Sequence, residues 1–143
     1  MSELILLVTI AGERAALRAG QVRSVIELEA LTPVPRAPAF VAGISALRSR
    51  PLTVIDSAAA LGLEQQTGLT KAVVVEIDRH LYAVQVEAVE DAVQTLAELQ
   101  PAPGVLAAGW QRVALGLAEI ADGTVLVIDA VALVEGPEGR RAA

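Results

Sequence analysis

The chain has 143 residues, 54% of them apolar but only 2% aromatic, so it is long enough to bury a real core, built from small aliphatic side chains. A formal charge of −6 repels phosphate backbones and leaves no basic stripe for nucleic acid, while the absence of cysteine excludes disulfides, thiolate metal sites and cysteine nucleophiles. Every apolar run is interrupted well short of the roughly 20 residues that span a bilayer, so no direct membrane insertion is expected.

Met1-Ser2-Glu3 and the short apolar run after it lack the positive flank and small-residue cleavage site of a secretory signal, and cytoplasmic residence is expected. Leu4, Leu6, Val8 and Ile10 recur at period two and predict a strand, followed by a turn at Ala11-Gly12-Glu13-Arg14. Val22, Ser24, Ile26 and Leu28 predict the next strand. Leu31-Thr32-Pro33-Val34-Pro35, with Pro38 beyond it, reads as a stiff connector into a strand pair that ends in Val54-Ile55-Asp56. Asp56 is an N-cap candidate for a helical turn over residues 57–61. Residues 62–70, with Glu64-Gln65-Gln66-Thr67-Gly68, read as a surface loop. Val73, Val75 and Ile77 predict a strand that turns at Ile77-Asp78-Arg79-His80, and Val113, Leu115 and Leu117 predict another. Ala121-Asp122-Gly123-Thr124 contains the Asp-Gly pair favoured in tight hairpins, and Asp129 can cap a second helical turn over residues 130–134. The tail from Gly136 onward lacks an apolar period and is expected to fray.

The two halves echo each other. Leu31-Thr32-Pro33-Val34-Pro35 recurs as Leu99-Gln100-Pro101-Ala102-Pro103, and Val54-Ile55-Asp56 as Val127-Ile128-Asp129, at an offset of about seventy residues. Chance similarity in a low-diversity sequence is the alternative. As a repeat, each half supplies a hairpin, a third strand, a Pro-x-Pro connector and a strand pair, which makes one five-stranded unit per half. Strands such as Leu4 to Val8 and Val125 to Ile128 are apolar on both faces, as expected where strands are covered from two sides.

No catalytic constellation emerges. His80 stands alone in a hairpin tip, without a nucleophile or a second metal ligand beside it. Asp56 and Asp129 read as repeated helix caps rather than a carboxylate pair. Ser45 in Gly43-Ile44-Ser45-Ala46-Leu47 lacks the second glycine of a nucleophile elbow, and Thr67-Gly68-Leu69-Thr70-Lys71 lacks a phosphate-loop framework. Neither a metal nor a cofactor is expected. Trp110 reads equally well as a core plug or as an anchor for a partner.

The run Thr32-Pro33-Val34-Pro35-Arg36-Ala37-Pro38-Ala39-Phe40-Val41-Ala42-Gly43-Ile44-Ser45-Ala46-Leu47-Arg48, continued by Ser49-Arg50-Pro51-Leu52-Thr53-Val54-Ile55-Asp56, resembles the central motif of chemotaxis coupling proteins, the CheW-like family. Residues 12–26, Ala83-Val84-Gln85-Val86-Glu87-Ala88-Val89 and the closing hairpin over residues 116–129 are similar to the family as well. The resemblance implies a mainly β fold of two five-stranded SH3-like barrels with a few short helical turns, in a single domain over residues 1–135. Its halves would span about 1–62 and 70–135, with an exchange of strands between them left open. It also implies a non-enzymatic adaptor in the cytoplasm, at membrane-associated receptor arrays. Its partners would be the cytoplasmic tip of a chemoreceptor and the regulatory domain of a histidine kinase. Val22, Ser24, Leu47 and Arg48 match positions implied to bind the receptor, in a groove between the barrels; Phe40, Gly43 and Ile44 match the kinase-facing surface.

Four departures from the family pattern stand out. Ser49 follows Arg48 where the family usually has glycine, Ser24 replaces a common glutamate, Glu87 replaces an aspartate, and Ser57-Ala58 replaces Leu-Arg. They mark a divergent member. The competing readings are a coupling-like module in a non-chemotaxis two-component pathway, a competitor within the array, a free-standing copy of the kinase's regulatory module, and a small enzyme or ligand-binding barrel. One apolar strand-edge patch per half is expected to meet partners.

Overall fold

A computed structural model describes residues 2–137 of the chain. The first five strands are β1 (Leu4–Ile10), β2 (Glu13–Arg18), β3 (Val22–Glu27), β4 (Val41–Leu47) and β5 (Arg50–Asp56), followed by helix α1 (Ser57–Ala60). The second five are β6 (Lys71–Ile77), β7 (His80–Gln85), β8 (Ala88–Gln94), β9 (Ala114–Ile120) and β10 (Gly123–Ile128), with α2 (Ala108–Val113) before β9 and α3 (Ala130–Glu135) at the end. The element order of one half repeats in the other, apart from α2 and a single 3-10 turn at Ala19–Gln21.

The sheets do not follow the sequence halves. One has the order β8-β1-β2-β10-β9 and the other β3-β6-β7-β5-β4, so each N-terminal hairpin of a repeat is completed by three strands of the other repeat. β3 pairs antiparallel with β6, and β5 runs parallel to β7; β8 and β10 make the equivalent pairings with β1 and β2. The exchange begins at the 3-10 turn, which carries the chain from β2 into the other sheet.

Burial explains why so many strands are apolar on both faces. Ile5, Leu7, Ala16, Ile120 and Val127 fill the interior of the first sheet, and Leu52, Val54, Val74, Leu81 and Ala83 that of the second. The alternate residues of the same strands, such as Val8, Ile10, Leu17, Val73 and Val75, meet in a third cluster shared by both sheets, with Tyr82 fully enclosed in it. A strand such as β1 therefore has two insides. Each fully buried Val, Leu or Ile contributes about 1.5–3 kcal/mol, so the shared cluster binds the two sheets as strongly as either binds itself.

Asp56 caps α1 by accepting from the Ala59 amide at 3.1 Å, and Asp129 caps α3 by accepting from the Val131 amide at 3.1 Å, so both act as the caps expected of them. Trp110 packs half-buried against the shared cluster, as a plug. The Arg112 guanidinium donates to the Ala132 carbonyl at 2.7 Å and the Ala60 carbonyl at 2.8 Å, which ties α2 to α3 and to the end of α1. Gly136 is buried against the Phe40 ring, and the rest of the tail expected to fray lies, from residue 138, outside the described residues.

Candidate functional site

Residues 47 and 50 close β4 and β5 into a hairpin whose two tip residues, Arg48 (φ 49°) and Ser49 (φ 69°), are both left-handed. Two consecutive left-handed residues make the tight turn whose twist matches that of the flanking strands. Arg48 stands exposed at this tip. Beside it runs β3, whose pairing with β6 shifts by a bulge between Val22 and Ser24.

The hairpin tip and β3 enclose a groove of about 440 Å³ lined by Ser24, Leu47 and Arg48 among others. Val25, Ile26 and Leu47 supply its accessible apolar surface over the buried Val74 and Leu81, while Arg23, Arg50 and Glu76 complete the charged rim. Arg23 is held by Glu76, with guanidinium to carboxylate distances of 2.6 and 3.0 Å. Among the described residues the side chains of Arg48 and Arg50 have no hydrogen-bond or ion-pair partner, and both are exposed. Three arginines against one glutamate leave the groove formally at +2. It is an apolar trough with unengaged donors, suited to an amphipathic segment that carries carboxylates.

Three of the four residues expected to bind a receptor therefore come together, from segments far apart in sequence. Val22 does not join them: on the other side of the β3 bulge it packs, half-buried, against the shared core. The groove lies within the second barrel rather than between the barrels. A separate depression of about 370 Å³ between the two sheets, lined by Gln21, Asp78, Arg79 and Val131, meets it at the Arg23–Glu76 pair.

Of the three residues expected on a kinase-facing surface, only Ile44 is exposed, at 44%. Phe40 is 6% exposed, its ring against Gly136, and Gly43 is buried. A Cβ at Gly43 would stand 2.5 Å from the Thr32 carbonyl oxygen, so only glycine lets the connector cross β4 there. That crossing is fastened by two backbone hydrogen bonds between Thr32 and Ile44, at 2.8 and 2.9 Å. Gly116 meets the Gln100 carbonyl in the same way in the second half. The Gly43 crossing thus fixes the position of Ile44, Phe40 packs in the shared core, and Leu31 and Val34 of the connector are exposed apolar neighbours in sequence of the crossing.

The other polar residues weighed for chemistry sit in structural roles. His80 Nε2 and Thr53 Oγ1 are 2.8 Å apart, and its ring leans on Tyr82. Asp56 accepts a second hydrogen bond from the Gln66 amide at 2.7 Å, which fastens the 62–70 loop to α1.

The CheW-like domain family matches residues 4–138. A probable chemotaxis protein CheW of Rhizobium etli is 28% identical over 127 residues, covering 85% of this chain and 82% of that protein. The crystal structure of a scaffolding protein, TtCheW of Thermoanaerobacter tengcongensis, superposes with a TM-score of 0.84 at 25% identity, covering 99% of this chain and 98% of the other. The two five-stranded sheets correspond to the two SH3-like subdomains of that fold.

Proposed function

The chain belongs to the CheW-like domain family, and on that premise we propose that it is a non-enzymatic adaptor coupling the cytoplasmic tips of chemoreceptors to the regulatory domain of a histidine kinase. The observation that carries the receptor half is the convergence of Ser24, Leu47 and Arg48 on one apolar-floored groove with two unengaged guanidinium groups. An amphipathic segment with an acidic face fits such a trough: its apolar residues on Val25, Ile26 and Leu47, its carboxylates on Arg48 and Arg50. On the kinase side, Ile44 is the contact, held in place by the Gly43 crossing, with Phe40 in the core behind it. In this reading the protein sits in the cytoplasm at receptor arrays; among the described residues no helix is long and apolar enough to cross a membrane.

Of the four departures, Ser24 lines the groove and Ser49 stands beside Arg48 at its tip. Serine at position 24, where a glutamate is common in the family, leaves the groove more positive, which narrows its receptors to more acidic tips. The same change favours, as the second reading, a coupling-like role outside chemotaxis or as a competitor within an array.

Titration with a receptor-tip fragment tests the assignment. Arg48→Ala is expected to weaken binding by about 2 kcal/mol, roughly thirtyfold. Unchanged affinity in that variant removes Arg48 from the receptor surface.

A further inference from the structure

β3 changes face at Arg23. Val22 pairs with Val75 and packs in the cluster shared by both sheets, whereas Ser24 pairs with Val74 and Ile26 packs inside the second barrel. In an unbroken strand Val22 and Ile26 would point the same way. The bulge between Val22 and Ser24 leaves Arg23 without an opposite number in the ladder, which is how a bulge re-aims a side chain. Arg23 therefore stands on the ridge between the barrel groove and the seam depression, and together with Glu76 it lines both. Nε and Nη2 of its guanidinium both donate to Oε1 of Glu76, at 3.0 and 2.6 Å. The Arg23 side chain is 64% exposed and that of Glu76 22%, so the pair closes the ridge from the solvent side.

We propose that the Arg23–Glu76 pair is a latch across one continuous trough, and that Arg23 sets partner specificity by exchanging carboxylates. With the pair open, the groove at the Arg48–Ser49 tip continues over the ridge into the seam beside Gln21 and Val131. Over both depressions Arg23, Arg48, Arg50 and Arg79 stand against Glu76 and Asp78, formally +2, which suits an acidic amphipathic segment long enough to cross the ridge. A carboxylate of that segment takes the Arg23 guanidinium, and Glu76 turns out to water. An exposed ion pair contributes little to stability, so this exchange meets a small barrier and replaces the bond it breaks. A segment with an amide at the same place separates the pair and replaces nothing, leaving two charges unmatched in a covered trough. The latch thus discriminates mainly by penalising the wrong partner. That the partner is a chemoreceptor tip rests on the receptor reading; the exchange itself requires only a carboxylate-bearing segment.

Two synthetic amphipathic peptides test the latch by titration into the full chain. They share their apolar residues and carry either Glu or Gln along the polar face. The unsubstituted chain is expected to prefer the Glu peptide. Glu76→Gln opens the latch and should tighten the Gln peptide about threefold to fivefold, the worth of an exposed pair. Arg23→Met keeps the apolar stem and should act in opposite directions, tightening the Gln peptide by a similar factor and weakening the Glu peptide. In the Arg23→Met, Glu76→Gln double variant the Gln peptide should gain nothing beyond either single change, because there is one pair to remove; thermal melts establish that all three variants fold. Weaker or unchanged binding of the Gln peptide to Arg23→Met shows an ordinary contact and overturns the proposal. So does a gain from Glu76→Gln that persists without Arg23, or failure of both peptides to bind the unsubstituted chain. A chemoreceptor tip fragment that does not bind a chain on which the peptides behave as expected removes the receptor reading and leaves the latch standing.

Discussion

Arg48 and Ser49 combine two duties at one hairpin tip. A left-handed backbone costs an L-residue about 1–2 kcal/mol, and neither side chain is of the Asn, Asp or Gly type that tolerates it best. At this tip Arg48 is exposed and its donors stay unengaged among the described residues. Ser49→Gly should relieve the turn at φ 69° against the greater chain entropy of glycine, for a net gain of about 0.5 kcal/mol in unfolding free energy. Denaturant titration checks it, and a loss of stability would show that Ser49 makes a contact worth more than the strain. The turn is hard to see in the sequence because Leu47-Arg48-Ser49-Arg50 contains no Gly, Asn or Asp, the residues that tolerate positive φ best, whereas Asp78-Arg79 and Ala11-Gly12 are visible as tips. The same applies to Gly43: its resemblance to a kinase-facing position was legible, but the carbonyl it makes room for lies on Thr32, brought there only by the fold.

Among the elements, α2 is the one with no equivalent in the first half, and it fastens the two capped helices together. Burial lowers the pKa of Arg112, yet its guanidinium remains the donor to two helix carbonyls. Arg112→Met keeps much of the apolar stem and removes both donors, leaving those carbonyls unpaired; a destabilisation of about 2–3 kcal/mol is expected in calorimetry or denaturant melts. A loss below about 0.5 kcal/mol would mean that water replaces the guanidinium freely. The helix caps were readable because an N-cap is local: an Asp followed by Ala-rich sequence needs no knowledge of the rest of the chain.

At the scale of the whole molecule, the repeat is legible from its recurring Pro-x-Pro and Val-Ile-Asp segments and the strands from period-two patterns, but the partition of strands between barrels is not. Periodicity reports which residues face inward, and a strand with two apolar faces reads the same whichever neighbour it pairs with. Because β3, β4 and β5 complete the β6–β7 hairpin, neither half contains a finished barrel. A fragment of residues 1–68 is expected to show no cooperative unfolding by circular dichroism, while the full chain unfolds in one transition across the shared core. A folded fragment would indicate that the first half can close its sheet with its own strands.

The bridging of receptor to kinase is the central claim, and reconstitution of the three components at low micromolar concentration tests it most directly. The full chain, a chemoreceptor tip fragment and a histidine kinase regulatory domain from the same organism would be combined and their complexes resolved by size. An adaptor is predicted to give a ternary species; Arg48→Ala should lose the receptor while keeping the kinase, and Ile44→Asp should lose the kinase while keeping the receptor. No ternary species with the unsubstituted chain, or one that survives both substitutions unchanged, would contradict the adaptor assignment or its two surfaces respectively.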